Sequence, residues 1–462
     1  MPPAVNSPFV SPPLFLVWRA DLSEMTRPHE VRPAQSEGID RQILSQLRGR
    51  FLAVNQYRRA RAIEGLAPRQ QTLLSLLALL FHVNHPQLPG YVTACTPAGV
   101  SGYEPDASTL TTAQRLAGVF SYTRCRLPSP GRPIHGLFLM GSLGSLAQTD
   151  QSDMDVWICH APDLDEPALV ALREKCHRLE IWAASEGCEA HFFLMDAVRA
   201  SKAQLRREDC AMTPYCLLLD EFYRTAIWLA GRTPLWWWVP EHEEARSAEF
   251  TDSLLSRHLI DPDEVIDFGH LAHIPAGDFL GAGLWQLLKG AESPYKSVLK
   301  LLLIEVYASE QPQVECLALG FKRAVYANQL DLDELDPYLM VYRRIEHYLK
   351  EQGDLQRLEI VRRSLYLKVN RKLTDTTAPQ GAQWQRRLLQ RLTIEWGWDK
   401  RQLALLDNRG QWTDEQICRE RMALARELNG SYRFLSLQAC DEHVSGEPAA
   451  HGAAPQNRAL PL

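Results

Sequence analysis

Apolar residues recur at every second position in three short stretches before residue 200, and at helical spacing through most of the chain after residue 240. "IHGLFLMG" predicts a strand ending at Gly141, "SLGSLAQ" a turn or short helix, and "DMDVWICH" a second strand. A helix is expected to start near Asp165, an N-cap type followed by Pro167. Its apolar residues Leu169, Leu172, Cys176, Leu179 and Trp182 fall on one stripe, and Gly187 ends it. "CEAHFFLMD" then predicts a third strand. Upstream, residues 40–83 predict two helices, and residues 91–132 are broken by glycine and proline into loops and short elements. Downstream, "YKSVLKLLLIEVYA", "PYLMVYRRIEHYLKEQ" and "LQRLEIVRRSLYLKVNRKL" carry helical stripes, with no fixed-period repeat.

The order strand, turn, strand, helix, strand implies an α/β or α+β domain followed by a mostly α-helical one. The expected boundaries are a disordered leader over 1–36, a domain with N-terminal helices over 37–240, a helical domain over 241–440 and a disordered tail over 441–462. The leader and tail rest on their proline-rich, polar composition.

The chemistry-bearing stretch is "GSLGSLAQTDQSDMDVWICH", from Gly141 to His160. On an extended strand Asp153, Asp155 and Trp157 share one face, with the two aspartates about 7 Å apart at their backbones. Two carboxylates so placed can converge on a pair of divalent cations, and Mg²⁺ favours few carboxylates supplemented by phosphate oxygens and water. Gly141 allows close backbone approach to a phosphate and Ser142 adds a hydroxyl donor. Either motif alone is common, and a lone DxD usually means solvated charge. Joined in this order, they point to metal-assisted nucleotidyl transfer. A third carboxylate is expected from the neighbouring strand; Glu189 is favoured over Asp196, against the alternative that Glu189 only faces water at the end of the preceding helix.

Composition narrows the partners. The chain has 462 residues, 45% hydrophobic, with a formal charge of −6, which argues against a nucleic-acid binder. Ten cysteines without a CxxC pair suggest reduced thiols and a cytoplasmic protein. The most apolar run, "LLSLLALLFHV", is too short to span a bilayer, so no integral membrane segment is expected.

Several long stretches, among them "HVNHPQLPGYV", "SDMDVWICH", "LLLDEFYRTAIWLAG", "GAGLWQLLKGAESPYKSVLK" and "EWGWDKRQLALLDNRGQW", resemble the N-terminal catalytic region of bacterial class I adenylate cyclases. The resemblance runs from about residue 46 to 433. It implies a nucleotidyltransferase-like, DNA polymerase beta-like mixed sheet with helices, an α+β fold, and the conversion of ATP to 3′,5′-cyclic AMP and pyrophosphate with two Mg²⁺ ions, for which Mn²⁺ could substitute. The family's GS motif falls on Gly141 and Ser142 and its paired aspartates on Asp153 and Asp155, flanked by Ser152 and Trp157.

The resemblance also favours Lys296, with Lys300 on the same helical face, as a phosphate contact. Arg224 is a further candidate that could instead pair with Asp220 or Glu221. Trp157 is a candidate to stack on adenine, or a core residue. Two departures stand out. Leu143 and Gly144 precede Ser145 where the family often has small hydroxyl residues, so which serine meets which phosphate stays open. Family members also carry a long C-terminal regulatory region, whereas this sequence ends in a low-complexity tail; a regulatory protein partner is a further expectation. Two rival functions remain at this stage: transfer of AMP to a protein or small-molecule acceptor, and a catalytically silent helical interaction module.

Overall fold

The computed structural model describes residues 40–122, 132–196, 215–271, 274, 276–375 and 383–445. The leader expected over 1–36 and the end of the tail lie outside them. The first elements are helices α1 (Arg41–Glu64), α2 (Pro68–His82) and α3 (Ala107–Leu116). The sheet follows, built from β1 (Ile134–Met140), β2 (Met154–His160), β3 (Ala190–Met195) and β4 (Ile227–Gly231), with α4 (Glu166–Ser185) and α5 (Tyr215–Thr225) between the last three. Asp165 caps α4 by accepting from the Ala168 N–H at 2.9 Å, and Gly187 leaves the helix at a φ of +74°.

The strand order is β3-β2-β1-β4. β1 is antiparallel to β2 and β4, and β2 runs parallel to β3 through the α4 crossover. Asp155 lies opposite Met140 on β1 and His191 on β3, while Trp157 lies opposite Phe138 and Phe193. Alternation gives the sheet two faces. Leu137, Leu139, Val156 and Ile158 share a core with α2 and with Leu172, Cys176 and Leu179 of α4. Phe138, Met140, Trp157 and Cys159 belong instead to a core continuous with the helices of the second half. The carboxylate face of β2 is therefore the one the second half covers.

That half contains α6 (Ser247–Ser256), α7 (Ala276–Lys289), α8 (Pro294–Ser309), α9 (Leu317–Tyr326), α10 (Pro337–Glu351), α11 (Leu355–Val369), α12 (Gln383–Glu395), α13 (Lys400–Asp407) and α14 (Asp414–Ser445). The last helix runs to Ser445, into the stretch expected to be tail. The tryptophan run forms a buried 3₁₀ turn over Leu235–Trp238, and Trp237 stacks on Phe51 of α1 with centroids 5.1 Å apart. Arginines of α1 reach across the same seam. Arg50 donates to the Tyr326 carbonyl at 2.5 Å, Arg58 to the Leu335 carbonyl at 3.0 Å, and Arg61 pairs with Asp333.

One core position works against stability. Lys175 on α4 is 1% exposed, and among the described residues no carboxylate lies within ion-pair distance of it. Burial lowers its ammonium to about 8. The unfolded chain then binds more protons than the folded one between pH ~8 and ~10.5, so stability rises with pH across that window. Lys175→Met is expected to stabilise the protein by about 2–3 kcal/mol at pH 7 and to remove this alkaline slope. Urea unfolding at pH 7 and pH 10 reads both; equal midpoints for the two proteins at pH 7 would refute the assignment.

Candidate active site

The chain leaves β1 at Met140 and turns at Gly141, whose φ of +94° suits only glycine without strain. A Cβ placed there would stand 3.7 Å from Oδ2 of Asp155, so the missing side chain leaves a cradle beside that carboxylate. Gly144 answers the departure from the family pattern. Its φ is +75°, and a Cβ would lie 2.5 Å from the Arg58 carbonyl oxygen, which leaves no room for a hydroxyl side chain.

The segment from Ser142 to Gln148 is a pair of hydrogen-bonded turns. Ser145 N–H donates to the Ser142 carbonyl and Gln148 N–H to the Ser145 carbonyl. The serine hydroxyls stay inside. Ser142 and Ser152 bond to each other at 2.8 Å, the Thr149 N–H donates to the Ser152 hydroxyl at 3.0 Å, and the Ser145 hydroxyl donates to the Ser142 carbonyl at 2.6 Å. All three residues are buried, so in this arrangement they shape the turn that presents Gly141.

The second half holds this turn from both sides. Asp336 accepts from the Leu146 N–H at 2.7 Å while capping α10 through the N–H groups of Tyr338 and Leu339. Gln385 of α12 donates its amide to the carbonyls of Leu146 and Gln148 at 3.0 and 2.9 Å.

Asp153 immediately precedes β2 and Asp155 is its second residue. Burial raises the Asp155 pKa, and the charge of Asp153 adds to it, against the opposing influence of Lys296, His191 and Lys300. Glu189 does not join them: its side chain is 73% exposed and pairs with His191 at 3.1 Å. Among the described residues, no group of three His, Cys, Asp or Glu side chains is gathered as a metal site. Two further carboxylates, Asp220 and Glu221 of α5, line the same cavity as Asp155.

Lysines face these carboxylates from the second half. Lys300 on α8 contacts Glu221 at 2.7 and 2.9 Å. Burial would raise the Glu221 pKa, but Lys300, Arg224 and Lys296 overcome it and bring it down to about 2. Lys296, one turn earlier, is held in its charged form chiefly by Tyr338, against burial, and further by Asp153, Glu221 and Asp155. Lys368 of α11 is lowered to about 8 by burial and by Lys296, with Asp153 opposing. Sequence reasoning missed Lys368, although a lysine set among the buried residues of "SLYLKV" was the available signal.

Arg224 and Trp157 have structural surroundings. Arg224 is buried, with Nε 3.3 Å from Asp220 Oδ2 and a further bond to the Pro337 carbonyl. Asp220 is fixed in turn by the Tyr307 hydroxyl and the Ala318 N–H. Trp157 also lines the cavity, but it is 5% exposed and stacks on Phe222 at 4.7 Å and 10°, so one of its ring faces is taken by the core. The cavity has a volume of about 430 Å³, and its charged part is formed by Asp155, Asp220, Glu221, Arg224, Lys296 and Lys300, beside Gly141.

Residues 43–237 match the adenylate cyclase NT domain, and residues 274–452 match the second domain of class I adenylate cyclase. The chain belongs to the class I adenylate cyclase family. It is 40% identical over 395 residues to the adenylate cyclases of Shigella flexneri and Escherichia coli K12, and 38% identical over 399 residues to that of Proteus mirabilis. These alignments cover 84% of this chain and 46% of each relative, so the chain spans about half the length of the proteins it matches. The mixed sheet and the helices after it form the nucleotidyltransferase-like arrangement of the family. Its NT domain supplies Gly141, Asp153, Asp155 and Glu221 here, and its second domain supplies Lys296, Lys300 and Lys368. The site lies where the two meet. No helix among the described residues is long and apolar enough to cross a membrane.

Proposed function

We propose that this chain converts ATP to 3′,5′-cyclic AMP and pyrophosphate. The observation that carries this reading is the single cavity in which Asp155 meets Lys296 and Lys300, with Asp153 and Lys368 within electrostatic reach. A triphosphate needs cations, and the reaction needs a way to offset charge that moves onto the leaving group.

The residues fit a divalent metal. Burial, and then the charge of Asp153, raise the Asp155 pKa, a tension that a cation relieves, and Gly141 leaves open space beside Asp155. Asp153 and Asp155 would hold Mg²⁺, in the two-ion form or with Mn²⁺ in its place. Bound there, the metal supplies Lewis-acid activation of the ribose 3′-hydroxyl and charge neutralisation at the phosphates. Glu189 lies outside this set in the geometry seen.

The chain's own contribution is placement. Lys296 and Lys368 bind the phosphate chain as point charges, and Lys300 with its partner Glu221 fixes the wall behind them. The 3′-oxygen forms a bond to the α-phosphorus, the bond from that phosphorus to the bridging oxygen breaks, pyrophosphate leaves, and the hydroxyl proton is released. The free thiols at Cys159, Cys176, Cys188, Cys216 and Cys316 suit a reducing cytoplasm, where ATP is abundant.

Chromatography of products after incubation of the purified chain with ATP and Mg²⁺ or Mn²⁺ tests the proposal. Cyclic AMP and pyrophosphate are expected in equal amounts. An AMP-modified acceptor or unchanged ATP would overturn it.

A further inference from the structure

Beyond the phosphate region, the same cavity changes character. Phe193 of β3 and Trp285 of α7 both line it, yet they are 46% and 57% exposed, while Trp157, Trp236, Trp237, Trp238, Trp384 and Trp396 are buried. Two large aromatic side chains from different elements thus stand open at one rim. Phe193 follows His191, the register partner of Asp155, by two residues, which places it about 7 Å farther along the sheet. That step is comparable to the separation of a nucleobase from the α-phosphate in a nucleotide. β3 is an edge strand among the described residues, where no further strand covers it.

Gln286 lines the cavity next to Trp285, and among the described residues its side-chain amide has no hydrogen-bond partner. An amide offers one donor and one acceptor side by side. Adenine presents the complementary pair at N7 and the N6 amino group, whereas guanine presents two acceptors at N7 and O6. The cavity therefore has charged groups suited to phosphate, aromatic faces suited to a base and an amide suited to the edge of adenine.

We infer that Phe193 and Trp285 form the nucleobase subsite of this cavity and that Gln286 selects adenine over guanine. The inference rests on the nucleotide reading of the site. It moves base stacking from Trp157, which lines the cavity at 5% exposure with one ring face on Phe222, to these two open rings.

The test is equilibrium dialysis of the whole chain, with Mg²⁺, against the non-cleavable α,β-methylene analogues of ATP and GTP and against inorganic tripolyphosphate. Phe193→Ala and Trp285→Ala are expected to weaken the ATP analogue about tenfold to a hundredfold, the range of one lost base stack, and to leave tripolyphosphate binding unchanged. Gln286→Leu is expected to reduce the preference for the ATP analogue over the GTP analogue by about tenfold. All three side chains are at least partly exposed, so unchanged melting temperatures serve as the fold control. Wild-type affinity for the ATP analogue in both aromatic variants, or an equal loss of tripolyphosphate binding, would overturn the subsite. An unchanged ATP-to-GTP ratio in Gln286→Leu would overturn the selector role. Dialysis needs no turnover, so a chain that binds as described but makes no cyclic AMP would defeat the cyclase reading and leave the subsite standing.

Discussion

Asp155→Asn is expected to lower cyclic AMP production roughly a thousandfold while leaving the fold intact. The several kcal/mol supplied by a metal-held site correspond, at ~1.4 kcal/mol per decade, to about three orders of magnitude in rate. The substitution keeps size and shape and removes only the charge. Stability should move in the opposite direction from activity. The pKa of Asp155 is raised in the folded protein, so its ionisation on going from acid to neutral pH costs stability, and that cost is fully present once pH has passed the folded pKa. The asparagine variant avoids it. With EDTA present at pH 7, its melting temperature should equal or exceed that of the wild type. A wild-type rate would remove Asp155 from the metal site, and a collapsed fold would make its role structural.

The second large effect is expected at a residue that does not line the cavity. Asp336→Ala removes one buried carboxylate that serves three N–H donors: Tyr338 and Leu339 at the start of α10, and Leu146 in the turn after Gly141. A lost helix cap costs about 1 kcal/mol, and a buried N–H left without an acceptor about 1–3 kcal/mol more, so a loss of about 3 kcal/mol is expected. Urea unfolding reads it as a lower midpoint, and Asp336→Asn, which retains an acceptor oxygen, should recover part of the loss. Because the same contact positions the turn, kcat should fall as well. Stability and rate both unchanged in Asp336→Ala would show that the turn holds its shape without the second half.

Much of the architecture could be read from local patterns. Alternation marked β1, β2 and β3, and the Asp165 cap with its apolar stripe marked α4, because each signal lies within one element. β4 was harder. Only Ala226 separates it from α5, and in "LLLDEFYRTAIWLAG" the apolar spacing continues from helix into strand without a glycine or proline to divide them.

The site shows the same division. Gly141, Asp153 and Asp155 could be singled out because their spacing is the signal, and the structure places Gly141 and Asp155 on one cavity. Glu189 was favoured since it sits two residues before His191 on the neighbouring strand, but it precedes β3 and turns to solvent. Glu221 reaches the cavity, and Lys368 comes within electrostatic reach of Asp153 and Lys296, only through the packing of α5 and α11, and no local pattern announces that. The hydroxyls of Ser142 and Ser152 could not be assigned from sequence either, because their mutual bond depends on how the turn closes.

The clasp that Asp336 and Gln385 place on the turn has a consequence for genetics. A screen that scores only the product would recover lesions at these two positions beside lesions at Asp155, and would group them as one class. Neither Asp336 nor Gln385 lines the cavity. The two kinds of allele should separate in a temperature series, since a loosened clasp is partly restored by cooling and a missing carboxylate is not.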